Sequence, residues 1–232
     1  MKIHPGIFSL TILLLLAWIG CRWHDSTQGK DETRTDSSDT TQAKEFQSDA
    51  QVYESPDRVI WQKPDLVIDQ LGELKGKVIA DLGAGTGYFS RRIAFKGATV
   101  IAIDIDPQAI QWMESQKAKF PAEIRDRLII RRADENDPHL KPNEVDIVLL
   151  VNTYSFIANR VPYFTKLKEN IRRGGTIVII DFKKKDTPFG PPVAERIDAV
   201  EVEKELKDAG YDILKVDEES LEYQYIIKAQ KQ

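Results

Sequence analysis

The sequence predicts one α/β domain built on a doubly wound, mostly parallel sheet. Three observations carry this expectation. Near-continuous apolar runs of six or seven residues recur along the chain, as strands buried on both faces require. Segments of helical periodicity separate them. A loop with glycines at alternate positions, "GAGTG" (83–87), directly follows the first run. The length of 232 residues and 41 % hydrophobic content suit one sizeable core rather than two.

The chain opens with Lys2 and an apolar run from Ile7 to Ile19, closed by Gly20 and Cys21. Such a run has the size of a signal-peptide core and is short for a membrane span. Residues 1–20 are therefore expected to be a signal peptide or membrane anchor. Gly before Cys suits a bacterial lipoprotein signal, with Cys21 as the lipidated residue. Residues 21–50 are polar, rich in Ser, Thr and Asp, and too poor in apolar groups to offset the entropy of ordering. They read as a tether, and residues 51–232 as the folded domain. The expected location is thus membrane-tethered, with the membrane face open.

Within the domain, strands are expected at "KVIADL" (77–82), "TVIAID" (99–104), "RLIIRR" (127–132), "VDIVLLV" (145–151) and "TIVIID" (176–181). Helices are expected near 88–96, 107–119 and 160–172. Pro107 suits a first helical turn. Arg172 and Arg173 followed by Gly174 and Gly175 read as a helix stop. A Pro-rich loop leads to a helix near 194–209. Two last strands, "YDILKV" (211–216) and "YQYIIKA" (223–229), are close enough in sequence to pair antiparallel at one edge.

Ligands of open parallel sheets bind beyond the carboxyl ends of the strands. In the glycine loop, Gly83 permits the tight turn, Gly85 a close ligand approach, and Gly87 close packing of the next helix. Asp104 ends the second strand, 21 residues beyond Gly83, where a carboxylate can accept both hydroxyls of a ribose. The spacing is GxGxG, with Tyr88 where a dinucleotide site would have its last glycine. Asp81 precedes the loop, where it favours an ammonium and repels a pyrophosphate. The ligand should join a cationic end to a ribose, which S-adenosyl-L-methionine does and a nicotinamide dinucleotide does not.

"VIADLGAGTGYFSRRIA" and "VIAIDIDPQAI" resemble the first two motifs of class I S-adenosylmethionine-dependent methyltransferases. "RRADENDP" and "RRGGTIVIIDF" extend the likeness, with Arg173 where the family often has proline. "SPDRVIWQKPDLVI" and "FKKKDTPFGPP" resemble a subgroup of small bacterial members with signal-like N-termini. The resemblance implies a Rossmann-like seven-stranded sheet with an antiparallel last strand, and methyl transfer. It implies cofactor binding by Asp81, Gly83, Gly85, Gly87, Tyr88, Asp104, Ile105 and Asp134, the last near the adenine amine. The subgroup typically has a histidine pair after its fourth strand; here Ser155 and Phe156 stand in "NTYSFI".

Catalytic residues are not fixed by the sequence. Asn152, Tyr154 and Asp181 lie at strand ends on the ligand-binding edge and are the candidates. Arg58, Trp61, Gln62 and Lys63 precede the first strand, where a segment can cover the cofactor; Trp61 reads first as a packing anchor. Lys183, Lys184 and Lys185 are expected in a solvated loop. His139 lacks metal-ligand spacing around it, so no metal is expected. One cysteine excludes an intrachain disulfide, and a net charge of −4 gives no reason to expect nucleic acid. The expected partner is a small-molecule or lipid-like acceptor, with the membrane reached through the N-terminus. The alternative is a non-catalytic ligand-binding lipoprotein on the same fold. An exported domain would meet little S-adenosylmethionine, which leaves three arrangements open: an anchor with the domain inside, an exported enzyme, or an exported binding module.

Overall fold

The computed structural model describes Phe46 and residues 50–232. The apolar run 7–19, Cys21 and the tether, apart from Phe46 and Ala50, lie outside the described residues. Packing begins earlier than expected. Phe46, assigned to the tether by its polar neighbours, is helical and packs edge-on against Trp112 at 6.2 Å, and Ala50 is buried.

After the helical residues 50–53 come two short helices, α1 (Arg58–Trp61) and α2 (Pro64–Asp69). The alternating unit follows: β1 (Val78–Leu82), α3 (Tyr88–Phe95), β2 (Thr99–Asp104), α4 (Pro107–Lys117), α5 (Ala122–Arg127) and β3 (Leu128–Arg132). Then come β4 (Val145–Val151), α6 (Arg160–Leu167), β5 (Ile171–Phe182), α7 (Ala199–Asp208), β6 (Tyr211–Asp217) and β7 (Gln224–Lys231). The seven strands form one sheet in the order β3-β2-β1-β4-β5-β7-β6. Strands β1 to β5 pair in parallel, and β7 runs antiparallel to both β5 and β6. The expected doubly wound, mostly parallel sheet with an antiparallel last strand is observed.

Alternation along the strands shows why both faces are covered. Ala80, Leu82, Ile101, Ile103, Val148, Leu150, Ile177 and Ile179 pack with Phe164, Leu167, Val202 and Leu206 of α6 and α7. Their neighbours Ile79, Val100, Ala102, Ile147, Leu149, Val178 and Ile180 pack with Val67, Ile68, Phe89, Ile93 and Met113 of α2, α3 and α4. Each such aliphatic side chain contributes about 1.5–3 kcal/mol when fully buried. Asp106 caps α4, accepting from Gln108 N at 2.8 Å, with Pro107 in the first turn as expected.

One boundary is corrected. The expected helix 160–172 ends at Leu167, and a 3₁₀ turn, Lys168–Asn170, leads into β5. Arg172–Gly175 is not a helix stop but a bulge inside β5: Val145 pairs with Ile171, and Ile147 already with Thr176. A Cβ on Gly175 would lie 2.6 Å from the Asp146 carbonyl oxygen, so the bulge needs a bare backbone there. No helix of the described residues is long and apolar enough to cross a membrane.

Candidate functional site

The carboxyl ends of β1, β2 and β4 open on a cavity of about 540 Å³, large enough for a nucleoside-sized ligand. β1 and β4 are neighbours although two strands and three helices lie between them in the chain, so the crevice lies where the strand order reverses. The cavity brings together Asp81, Gly83, Gly85, Tyr88, Asp104, Ile105 and Asp134. Of the eight expected cofactor residues, only Gly87 does not line it.

The three glycines differ in what they accommodate. A Cβ on Gly83 would lie 2.4 Å from the Thr153 side chain, so this residue admits the loop after β4. A Cβ on Gly87 would press on Met113 of α4 at 3.2 Å; the crowding partner is a neighbouring helix rather than the strand. Gly85 has nothing within 4 Å of that position and holds φ at +55°. Its open side belongs to the cavity, and its N–H donates to Asp104 Oδ2 at 2.7 Å.

Two of the carboxylates that line the cavity stand at the ends of β1 and β2. Asp81 is buried and accepts from Ser90 Oγ at 2.6 Å. Burial, with Asp104 nearby, holds its carboxyl well above the ordinary range, at about 6, against the opposing Ser90 bond and Arg58. Asp104 accepts from Asp106 N at 3.0 Å as well as from Gly85. Its pKa is also raised, by burial. A cationic ligand group offsets both penalties, because an opposite charge restores the ionised form.

The segment before β1 supplies the opposite charge. Arg58 is buried, lines the cavity, and lies 4.2 Å above the Tyr88 ring. Burial lowers its pKa to about 10, so it stays protonated at neutral pH. Arg92 covers the same ring at 3.6 Å, and the Tyr88 hydroxyl is buried without a hydrogen-bond partner among the described residues. Glu54 pairs with Arg91 of α3 through both oxygens, fastening this segment across the loop. Trp61 packs on Phe189 at 4.7 Å and Phe182 at 5.9 Å, as a packing anchor should. Lys63 donates to the Ser220 carbonyl. Sequence reasoning placed Arg58 in a covering segment without a role and missed Ser90, whose only signal is its place one turn into α3 from the loop.

The candidates after β4 and β5 separate. Asn152 lines the cavity. Tyr154 does not: it is fully buried, stacks on Phe164, and donates to Glu205 Oε2 at 2.6 Å beside Arg160. Asp181 does not either. Its oxygens accept from Tyr154 N at 3.2 Å and Phe182 N at 2.8 Å. Both are corrected from acceptor-orienting candidates to braces of the loop and core. Phe156 is exposed at the cavity mouth. Lys183 bonds the Leu221 and Glu222 carbonyls and takes no part in the cavity lining. Asp134, at the far end, pairs with His139 Nε2 at 2.9 Å.

Residues 73–230 match a family model described as a methyltransferase domain. The chain belongs to the class I S-adenosylmethionine-dependent methyltransferases. S-adenosylmethionine is accordingly the expected cofactor of this methyltransferase-family chain. Its fold matches a S-adenosylmethionine-dependent methyltransferase structure from Aquifex aeolicus with a TM-score of 0.73 and 22 % identity, over 81 % of this chain and 97 % of that one. A demethylmenaquinone methyltransferase of Tropheryma whipplei is 28 % identical over 112 residues, 48 % of this chain and 44 % of that protein. A magnesium-protoporphyrin O-methyltransferase of Rhodobacter capsulatus is 34 % identical over 90 residues, 39 % of this chain and 37 % of that protein. The chain thus spans under half the length of these curated relatives.

Proposed function

We propose that the protein transfers a methyl group from S-adenosylmethionine to a small-molecule or lipid-like acceptor. The observation that carries this reading is the pairing of a bare backbone at Gly85 with two cavity-facing carboxylates, Asp81 buried and Asp104 half-buried, and one buried guanidinium. Asp81 receives the ligand's ammonium, Arg58 its carboxylate, and Asp104 its ribose hydroxyls. Gly85 leaves room for the nucleoside to lie on the chain, and Ile105 and Asp134 flank the base. When bound, the cofactor supplies an electrophilic methyl group on a sulfonium. The work left to the protein is alignment and exclusion of water. Tyr88, Phe46 and Phe156 contribute to the latter as aromatic lining.

The acceptor enters past Phe156, Ile157 and Ala158, an apolar mouth that suits a ring or an acyl chain. The relatives' names, a demethylmenaquinone and a magnesium-protoporphyrin methyltransferase, are consistent with acceptors of that kind. We place the domain at a membrane through its N-terminus, with Cys21 as the lipidation site; Cys21→Ser should then move the protein to the soluble fraction. Isothermal calorimetry with S-adenosylhomocysteine tests the central claim. Saturable heat is expected, and none at millimolar ligand with folded protein overturns it.

A further inference from the structure

A buried relay fixes the side chain of Asn152. Arg58 Nε donates to Gln62 Oε1. Gln62 Nε2 donates to Gln224 Oε1 at 3.1 Å, and Gln224 Nε2 donates to Asn152 Oδ1. Both glutamines are 0 % exposed, and 162 residues of chain separate them.

The sense of this relay is forced. The two ends of an amide are alike in shape, so only its partners decide which way it faces. A guanidinium has donors and no acceptor. Gln62 must therefore turn its oxygen to Arg58 and its NH₂ to Gln224. Gln224 must meet that NH₂ with its oxygen and offer its own NH₂ to Asn152. Reversing any one amide would set donor against donor or acceptor against acceptor where water cannot help, an expensive arrangement in a buried place. At the end of the chain the Asn152 oxygen is occupied. Its NH₂ has no protein partner among the described residues, and Asn152 lines the cavity.

The backbone holds the residue as firmly. Asn152 N donates to the Ile180 carbonyl at 2.9 Å, and its φ of +57° is a left-handed position that asparagine tolerates. Next to it, Thr153 packs against Gly83, so the amide stands beside the loop that receives the methionyl end of the cofactor. The relay leads back to a cation, which polarises each amide in the same direction.

We infer that Asn152 is a specificity-determining donor and that the methyl acceptor presents an anionic oxygen to it, not an amine. This rests on the methyltransferase reading, because that reading makes the free end of the cavity the acceptor's. A protonated amine would meet NH₂ with its own donors. A carboxylate or phenolate would accept from it, and the apolar mouth at Phe156 would receive the attached ring.

The test uses the full chain, with benzoate and benzylammonium as probes of one shape and opposite charge. S-adenosylhomocysteine binding is measured first by calorimetry. With that ligand saturating, benzoate should shift the Asn152 side-chain NH₂ resonances and bind tighter than benzylammonium. Asn152→Asp should weaken benzoate about ten- to a hundredfold and leave S-adenosylhomocysteine affinity unchanged. Gln224→Glu, which can only accept, should turn Asn152 around and reverse the preference; a purely structural Gln224 would not do so. If that variant fails to melt cooperatively, Asn152→Asp decides. Tighter benzylammonium, no response to benzoate, or a loss of S-adenosylhomocysteine affinity in Asn152→Asp overturns the proposal. A wild-type chain that takes no S-adenosylhomocysteine sinks the methyltransferase reading instead. Proton contacts in the free protein then decide the relay alone: Asn152 NH₂ protons facing Gln224 overturn it, and protons facing away uphold it.

Discussion

The two sides of the cavity rim use equivalent positions in opposite ways. On the β1–β2 side, Asp81 and Asp104 stand at strand ends and border the cavity. On the β4–β5 side, Asp181 also stands at a strand end, yet its carboxylate accepts from the Tyr154 and Phe182 N–H groups and stays out of the lining. The loops that follow also differ. "GAGTG" carries almost no side chains, and the protein's own partners of these carboxylates are the Ser90 hydroxyl and backbone N–H groups. "NTYSF" folds back in a 3₁₀ turn, and its backbone takes up the Asp181 oxygens. Asp104 and Asp181 each accept two backbone N–H groups, so what separates them is position: Asp104 still lines the cavity and Asp181 does not.

The largest way to break the comparison is to give the bare loop a side chain. Gly85→Val should cost at least about a hundredfold in S-adenosylhomocysteine affinity, or about 2.7 kcal/mol. It fills the open side of the loop and forces a β-branched residue to a left-handed φ. Retained affinity in calorimetry would show that no ligand approaches there. Asp104→Ala comes next, with a loss of about 1.5–3 kcal/mol, ten- to a hundredfold, from a lost charge-assisted hydrogen bond. An unchanged affinity would remove Asp104 from the ribose.

Acidity sharpens the comparison further. The folded-state pKa of Asp81 is raised to about 6, so the fold favours its protonated form. Its stabilising contribution is complete below the unfolded value, near 3.9, and is lost as pH rises through about 6. Relative to wild type, ligand-free Asp81→Asn should therefore gain stability between about pH 4 and 6, by at most about 1.4 kcal/mol per pH unit, and level off above. Affinity for S-adenosylhomocysteine should move the other way in the wild type. It should strengthen as pH rises through about 6, by up to about tenfold per unit, since the ammonium needs the ionised carboxylate. Urea melts and calorimetry across this range read the two slopes, and parallel slopes would refute the assignment.

The smallest effect belongs to the other side. Tyr154→Phe should lower stability by about 1–2 kcal/mol through the lost Glu205 bond while leaving S-adenosylhomocysteine affinity within about twofold. A large affinity loss would return Tyr154 to the site.

The sequence showed all seven strands, because burial on both faces writes itself as continuous apolar runs. It placed the start of β5 five residues late, since a bulge of two arginines and two glycines carries the local chemistry of a helix end. It missed α5 and split no short helices out of the segment before β1, where six residues or fewer leave little periodicity. At the site, that Asp81, Gly85 and Asp104 share one cavity was legible because their spacing is local. Ser90 was not, because its role comes from the turn of α3 over β1. The direction of Tyr154 and Asp181 was not legible either, because each is decided by a contact across the fold: Glu205 for one, the backbone of the loop after β4 for the other. The Gln62–Gln224 bond joins the two ends of the domain and leaves no trace in either stretch alone.

The contact between Gly83 and Thr153 has a consequence for how such a protein can change. Loops at the mouth are where new substrate ranges are normally acquired, and they are usually free to drift. Here the mouth loop rests directly on a residue with no side chain, so the two must be inherited together. An engineer who wants a wider entrance should reshape the chain beyond Thr153 and leave the hinge between positions 83 and 153 as it stands.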